Sequence, residues 1–199
     1  YAEPNQIFQA AAVPNDPSWD ELWGMQQIDA PDAWDTTTGS RDVVVGVVDT
    51  GVDYDHPDLA DNMWVNPDEI PGNGVDDDNN GYVDDVHGYD FFDDDPLPTD
   101  GYGHGTHVAG TIGAVGNNGT GVTGVNWNVQ IAALKIGSAN GALSVDAAIE
   151  AIRYASDPEN DIPITNHSWG GPVPNQTLKN AIQEAHSQSD HLVVAAAGN

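Results

Sequence analysis

The spacing of apolar and polar positions divides the chain into alternating strands and helices. "DVVVGVVDTG" at 42–51 is Val-rich with apolar side chains at successive positions. Both of its faces need cover, as in a strand of a parallel sheet. "VQIAALKI" at 129–136, "IPITNHSWGG" at 162–171 and the charge-free run within "HLVVAAAG" at 191–198 read as further buried strands. Between them the period lengthens. "GHGTHVAGTIGAVG" at 103–116 predicts a helix of small residues suited to close packing. "SVDAAIEAIRYASD" at 144–157 predicts an amphipathic helix with Val145, Ala148, Ile149 and Ile152 on one face and Ser144 as N-cap. "NQTLKNAIQEAHSQ" at 175–188 is another helix, and "APDAWDTTTG" at 30–39 a short one with Pro31 in its first turn and Gly39 at its end. Residues 1–27 read as irregular. Strands alternating with helices predict an α/β fold around a mostly parallel sheet.

One stretch breaks the alternation. From Pro57 to Gly103 no periodicity holds, and a loop region of that length inside a compact domain marks a functional insertion. Charge concentrates there. The chain carries 32 Asp and Glu against 4 Lys and Arg, a net charge of -28. Seventeen of the acids lie between Asp49 and Asp100, a span without Lys or Arg, so salt bridges cannot balance them locally. Hard cations, chiefly calcium, would. A solvated acidic face, or the surface of a salt-adapted protein, accounts for the composition equally well. Such a chain repels nucleic acid and anionic membranes. There is no cysteine, hence no disulfide or thiolate chemistry. No segment has the length and apolarity of a membrane span, and the first residues do not form a signal peptide.

Parallel sheets place their sites at the carboxyl ends of strands. Three polar residues occupy such positions or adjoin them. Asp49 ends the first strand, His104 opens the small-residue helix between glycines, and Asn199 follows the last strand. Taken singly, each has a plainer reading: a turn aspartate, a structural histidine pair with His107, a Gly-Asn turn. The spacing H-x-x-H also raises zinc, but the Glu that accompanies zinc motifs of that sort is absent.

Together, "VVVGVVDTGVDYDHPDL", "GHGTHVAGT", "NHSWGG" and "VVAAAGN", in this order, resemble the subtilisin-like serine proteases, and most closely their thermitase-like branch. The resemblance runs from about Asn15 to Asn199. It implies a three-layer sandwich with a mostly parallel central sheet flanked by helices, and a secreted, monomeric endopeptidase acting on extended polypeptides through an Asp-His-Ser triad. Asp49 would orient the histidine, His104 would serve as general base and acid, and Asn199 would donate to the oxyanion; His107 would be structural. Ser168, Trp169 and Gly170 would form one edge of the substrate cleft, and Ala196, Ala197 and Gly198 the facing wall. Gly141, Ala142 and Leu143 would form a second edge, with Leu143 making a bulkier upper subsite. The family's nucleophile lies in a G-T-S-M-A-x-P stretch, and none of the serines here has that context. The expectation is therefore a peptidase domain (13–199) lacking its C-terminal part and inactive by itself. "YAEPN" resembles the end of the family's inhibitory propeptide, which assigns 1–12 to that tail. A non-catalytic extracellular calcium-binding module on the same scaffold is the alternative.

The resemblance also implies structural calcium at one to three sites. The first would use the carboxylates of Asp16 and Asp58, the carbonyls of Val115 and Val122, the Asn118 side chain and Thr120. The second would use Asp90, Asp95, the Leu97 carbonyl and Thr99. Within the acidic insertion, about 62–100, the residues themselves suggest a third: Asp76, Asp78, Asn80 and Gly81 follow the D-x-D-x-N-G opening of a calcium loop, with Asp85 able to close it. Position twelve is His87 rather than Glu, so the loop is not a full EF-hand.

Overall fold

The structure, a computed structural model, describes residues 12–171 and 173–198. Its elements in chain order are α1 (Trp23–Gln27), α2 (Ala30–Trp34), β1 (Gly39–Asp49), β2 (Gly88–Asp90), α3 (His104–Gly113), β3 (Asn128–Lys135), α4 (Val145–Ser156), β4 (Ile164–His167), α5 (Gln176–Ser189) and β5 (Leu192–Ala195). The strands form one parallel sheet in the order β2-β3-β1-β4-β5. The strand preceding the crossovers, β1, thus sits at the centre, and the chain leaves it first toward one edge and later toward the other. That reversal creates a crevice at the carboxyl end of β1.

The period-2 geometry of β1 explains its apolar run. Val44 and Val48 face one side with Leu134, Ala148, Ala151 and Tyr154, while Val45 and Val47 face the other with Ile131, Ala133 and Ala109. Helix α3 covers the second side. It approaches closely because Gly113 stands where a Cβ would strike Val129. Helices α4 and α5 cover the first side and pack on each other through Ile149, Ile152, Ala181 and Ala185. The result is the three-layer α/β/α arrangement.

Ser144 caps α4 as its sequence predicts, accepting Ala147 N–H at 3.3 Å. Asn175 caps α5 in the same way, accepting Leu178 N–H at 2.9 Å. Four readings are corrected. Helix α2 ends at Trp34, and Gly39 instead opens β1, paired with Asn128. A short helix, α1, lies in the stretch read as irregular, with Met25 buried against Trp34. The long acidic region contains β2, added to the sheet edge beside β3. Finally, β5 is not buried: it forms the far edge of the sheet and leaves Leu192 52% and Val194 47% exposed.

Candidate active site

The carboxyl end of β1 delivers Asp49, fully buried, to the amino end of α3. His104 Nδ1 lies 2.7 Å from Asp49 Oδ1. A carboxylate only accepts, so Nδ1 carries the proton and Nε2 is left with its lone pair free. The His104 side chain is 46% exposed, so a buried, fixed carboxylate holds a ring that solvent and ligands can reach.

The approach of helix to strand has a steric cause. Gly105 presses against the Gly51 carbonyl and the Asp49 side chain, leaving no room for a Cβ. Gly51, at φ +107°, passes under the Pro98–Asp100 backbone, where a Cβ would lie 2.7 Å from Pro98 O. The N-cap of α3 is Gly103, which has no side chain to satisfy the first N–H groups. Other segments supply the caps. Thr50 Oγ1 accepts Gly105 N–H at 2.9 Å, and Asp100 Oδ2 accepts both Thr106 N–H and the Thr106 hydroxyl. Asp100 Oδ1 accepts Tyr102 N–H, Gly103 N–H and the Thr50 hydroxyl. Burial pushes the Asp100 carboxyl up, but the Gly103, Thr106 and Tyr102 hydrogen bonds outweigh it and hold it below the ordinary range. Asp100 and Thr50 therefore position His104. Sequence reasoning passed over both, although a helix opening on Gly-His needs a cap from elsewhere.

His104 faces a cleft of about 960 Å³, lined further by Ser168, Trp169, Gly170 and Gly171 beyond β4 and by Ala196, Ala197 and Gly198 beyond β5. The two predicted walls are thus brought together with the histidine. Trp169 Nε1 donates to Val48 O at 2.8 Å, tying one wall to the strand that carries Asp49. Asn199 lies outside the described residues. Gly141, Ala142 and Leu143 do not line this cleft. They form a hairpin on residues 136–138, with Gly141 against the Tyr102 ring. Leu143 is half-buried and packs on the core cluster that holds Ile136. His107 lines a separate apolar groove along α3, apart from the cleft that His104 faces.

The candidate metal ligands fall into three groups. Asp16 and Asp58 are both buried and gather the loop 115–122. Asp16 accepts N–H bonds from Asn117, Asn118 and Gly119, while Asp58 accepts from Val122 N–H and the Asn118 amide. The Thr120 N–H is taken by Asn118 Oδ1, and Val115 N–H by the Asp58 carbonyl. Two buried carboxylates without a basic residue fit a cation here.

The second group differs in having a basic partner. Asp90 is ion-paired with Lys135 and accepts Phe92 and Asp93 N–H. Asp95 holds the Leu97 N–H and Thr99 donates to Tyr54, so these residues are already engaged and Asp90 is already neutralised.

In the third group, Asp78 and Asp85 meet Glu69, with ligand oxygens all within 4.8 Å of one another. Asn66 and Asn80 amides bridge the two aspartates, and the Tyr154 hydroxyl donates to Asp85. Asp76 is not among them; its carboxylate accepts Asn80 and Gly81 N–H within its own turn. Burial raises the Glu69 and Asp85 carboxyls, and the neighbouring negative charges add to it. A divalent cation would relieve both effects. Glu69 escaped the sequence reading, yet it is the only Glu among the seventeen acids of that span, and its longer arm reaches the cluster.

Three comparisons bear on this arrangement. The profile of the subtilase family (Peptidase_S8) matches residues 40–199. The chain is 39% identical over 200 residues to a thermophilic serine proteinase from Bacillus sp. strain AK1, covering all of this chain and 44% of that protein. It is 37% identical over 188 residues to thermitase from Thermoactinomyces vulgaris, covering 94% and 58%. Among solved structures, a protease from Pseudoalteromonas arctica PAMC 21717 superposes with a TM-score of 0.70 at 33% identity, over 94% of this chain and 60% of that one. The chain spans about half the length of the curated relatives it matches. With its fold, its Asp49–His104 couple and a family profile that matches most of its length, the chain belongs to the subtilase family.

Proposed function

We propose that the protein containing this chain is a serine endopeptidase that cleaves extended polypeptides. The observation that carries the reading is the Asp49–His104 couple at 2.7 Å, opening onto a cleft walled by two strand ends. In this mechanism His104 Nε2 takes the proton of a serine hydroxyl as that oxygen attacks the scissile carbonyl, then returns it to the leaving amine. Asp49 holds the ring in the Nδ1–H tautomer and stabilises the imidazolium. Asn199 donates from its amide to the developing oxyanion. The backbone groups of 168–170 and 196–198 pair with an extended peptide, which asks little of its sequence. No serine hydroxyl is hydrogen-bonded to His104 among the described residues, and Ser168 Oγ accepts from the Asn166 amide. The nucleophile is therefore assigned to a segment of the whole protein outside these 199 residues, and the chain alone is expected to be inactive.

Calcium is assigned to the Asp16–Asp58 loop and to the Glu69–Asp78–Asp85 cluster, where its charge would neutralise buried carboxylates. Secretion fits both an acidic, metal-stabilised chain and the extracellular halolysin-like protease Nep of Natrialba magadii, 40% identical over 165 residues. An inhibitory propeptide ending near residue 12 is part of the same reading; residues 1–11 lie outside the described residues.

The test is hydrolysis of a denatured protein substrate by the whole protein, with stoichiometric labelling by a fluorophosphonate. His104→Ala should abolish both, and Asp49→Asn should lower kcat by about 10⁴-fold with the fold intact. A whole protein that neither hydrolyses nor labels overturns the proposal.

A further inference from the structure

Behind the cleft lie two histidines that this mechanism does not use. His167 ends β4 and His191 precedes β5, and both are buried. Thr165 Oγ1 stands 2.9 Å from His167 Nε2 and 2.9 Å from His191 Nε2. One hydroxyl has a single proton to give. Donating to one imidazole and accepting from the other would set the two rings in complementary neutral tautomers. His191 Nδ1 has no partner within hydrogen-bond geometry, and the nearby Ile162 backbone only offsets part of the cost.

This bridge sits at the root of both cleft walls. His167 pairs with Ala195, and its carbonyl accepts Ala196 N–H at 3.0 Å, so it joins the last residues before each wall. Its ring meets Trp169 edge-on at 5.5 Å, and Trp169 lines the cleft. Among the described residues no charged group compensates the rings. On the helices packed over this side, Asp146, Glu150 and Arg153 of α4 and Lys179, Glu184 and His186 of α5 are exposed, as is Asp190 after α5. Tyr154 of α4 is engaged with Asp85, and Asp49 at the end of β1 with His104.

We propose that the His167–Thr165–His191 bridge is a clamp that sets the separation of the two cleft walls, and that protonation releases it. The clamp holds the walls at peptide-binding distance only while both rings are neutral. A second proton would place N–H donors on both sides of Thr165 and a charge in an apolar layer. Burial, together with the charge of His191, lowers His167 to about 4, and burial lowers His191 as well. Folded values below the ordinary 6.5 mean that the closed form takes up protons last. The clamp is whole above pH 6.5 and loses stability as the pH falls from 6.5 toward 4. The inference rests on reading the cleft as a peptide site, and its test separates the two.

In the whole protein with ¹⁵N-labelled histidine, ring nitrogen shifts are followed from pH 8 to 4. The expected result is two rings in opposite tautomers that protonate well below the ordinary imidazole value of 6.5, with loss of amide protection at Ala195 and Ala196 in the same pH range. Thr165→Val keeps the methyl that packs against Gly46 but removes the hydroxyl. It should abolish the tautomer pairing and raise KM for an extended peptide about tenfold with kcat within about twofold, and Thr165→Ser should restore both. Rings that titrate at or above the ordinary imidazole value, or unchanged tautomers and KM in Thr165→Val, overturn the clamp. The wild-type titration decides the matter even where the valine variant does not fold. Absence of peptide hydrolysis overturns the peptidase reading alone, because the ring titration needs no turnover.

Discussion

Asp100 carries more of the site than its position suggests. It touches neither the cleft wall nor the imidazole, yet five donors from Thr50, Tyr102, Gly103 and Thr106 converge on its two oxygens. Asp100→Asn would turn an amide N–H toward some of those donors, leaving part-buried groups at Thr50 and Thr106 unpaired at a cost of about 1 kcal/mol. Because the carboxyl is held below its ordinary value, its contribution is present above about pH 4 and disappears as the pH falls below that. Urea unfolding of wild type and Asp100→Asn should show a gap at pH 7 that narrows as the pH is lowered below about 4. Equal stabilities at pH 7 would remove Asp100 from the positioning role. At this scale the sequence is uneven. Asp49 and His104 were legible because a strand end and a helix start mark them as candidates, and the family resemblance of the surrounding motifs joins them into a pair. Thr50 was not, because its partners, Asp100 and the Gly105 N–H, lie 50 or more residues away in the chain; Asp100 was not, because it sits in a loop with no period to place it.

Among the elements, the acidic insertion differs from the helices and strands in what stabilises it. Few apolar side chains hold residues 66–85; carboxylates and amides hold one another. Glu69 alone accepts N–H bonds from Asp77, Asp78 and Asp84. Saturating calcium should raise the melting temperature by roughly 5–10 °C, the shift expected for a ligand at about a hundred times its Kd in a chain of this size. Glu69→Gln should remove part of that rise, and chelator all of it. A melt indifferent to calcium and chelator would rule out the assignment. The strands and long helices were readable from periodicity because each buries one face or two. Helix α1 and strand β2 were not, since three to five residues are too few to show a period. The exposure of β5 was misread for another reason: a charge-free run marks a strand, whereas its cover depends on neighbours elsewhere in the molecule.

For the whole molecule the governing quantity is a net charge of -28. Self-repulsion of that size is long-ranged, and salt shortens its reach from about 10 Å at 0.1 M to about 3 Å at 1 M. With chelator present, the urea midpoint should climb between these two concentrations while the slope stays constant. A flat response would mean that local cations already balance the charge. The placement of α3 has a kinetic side as well. Its first turn is completed by Thr50 and Asp100 rather than by its own N-cap, and Asp49 reaches His104 across 55 residues of sequence. Such contacts form only after the intervening chain has been brought back, and the entropy of closing that loop is lost before any of them is made. The Asp49–His104 pair is therefore expected to form later in folding than the hydrogen bonds internal to each helix.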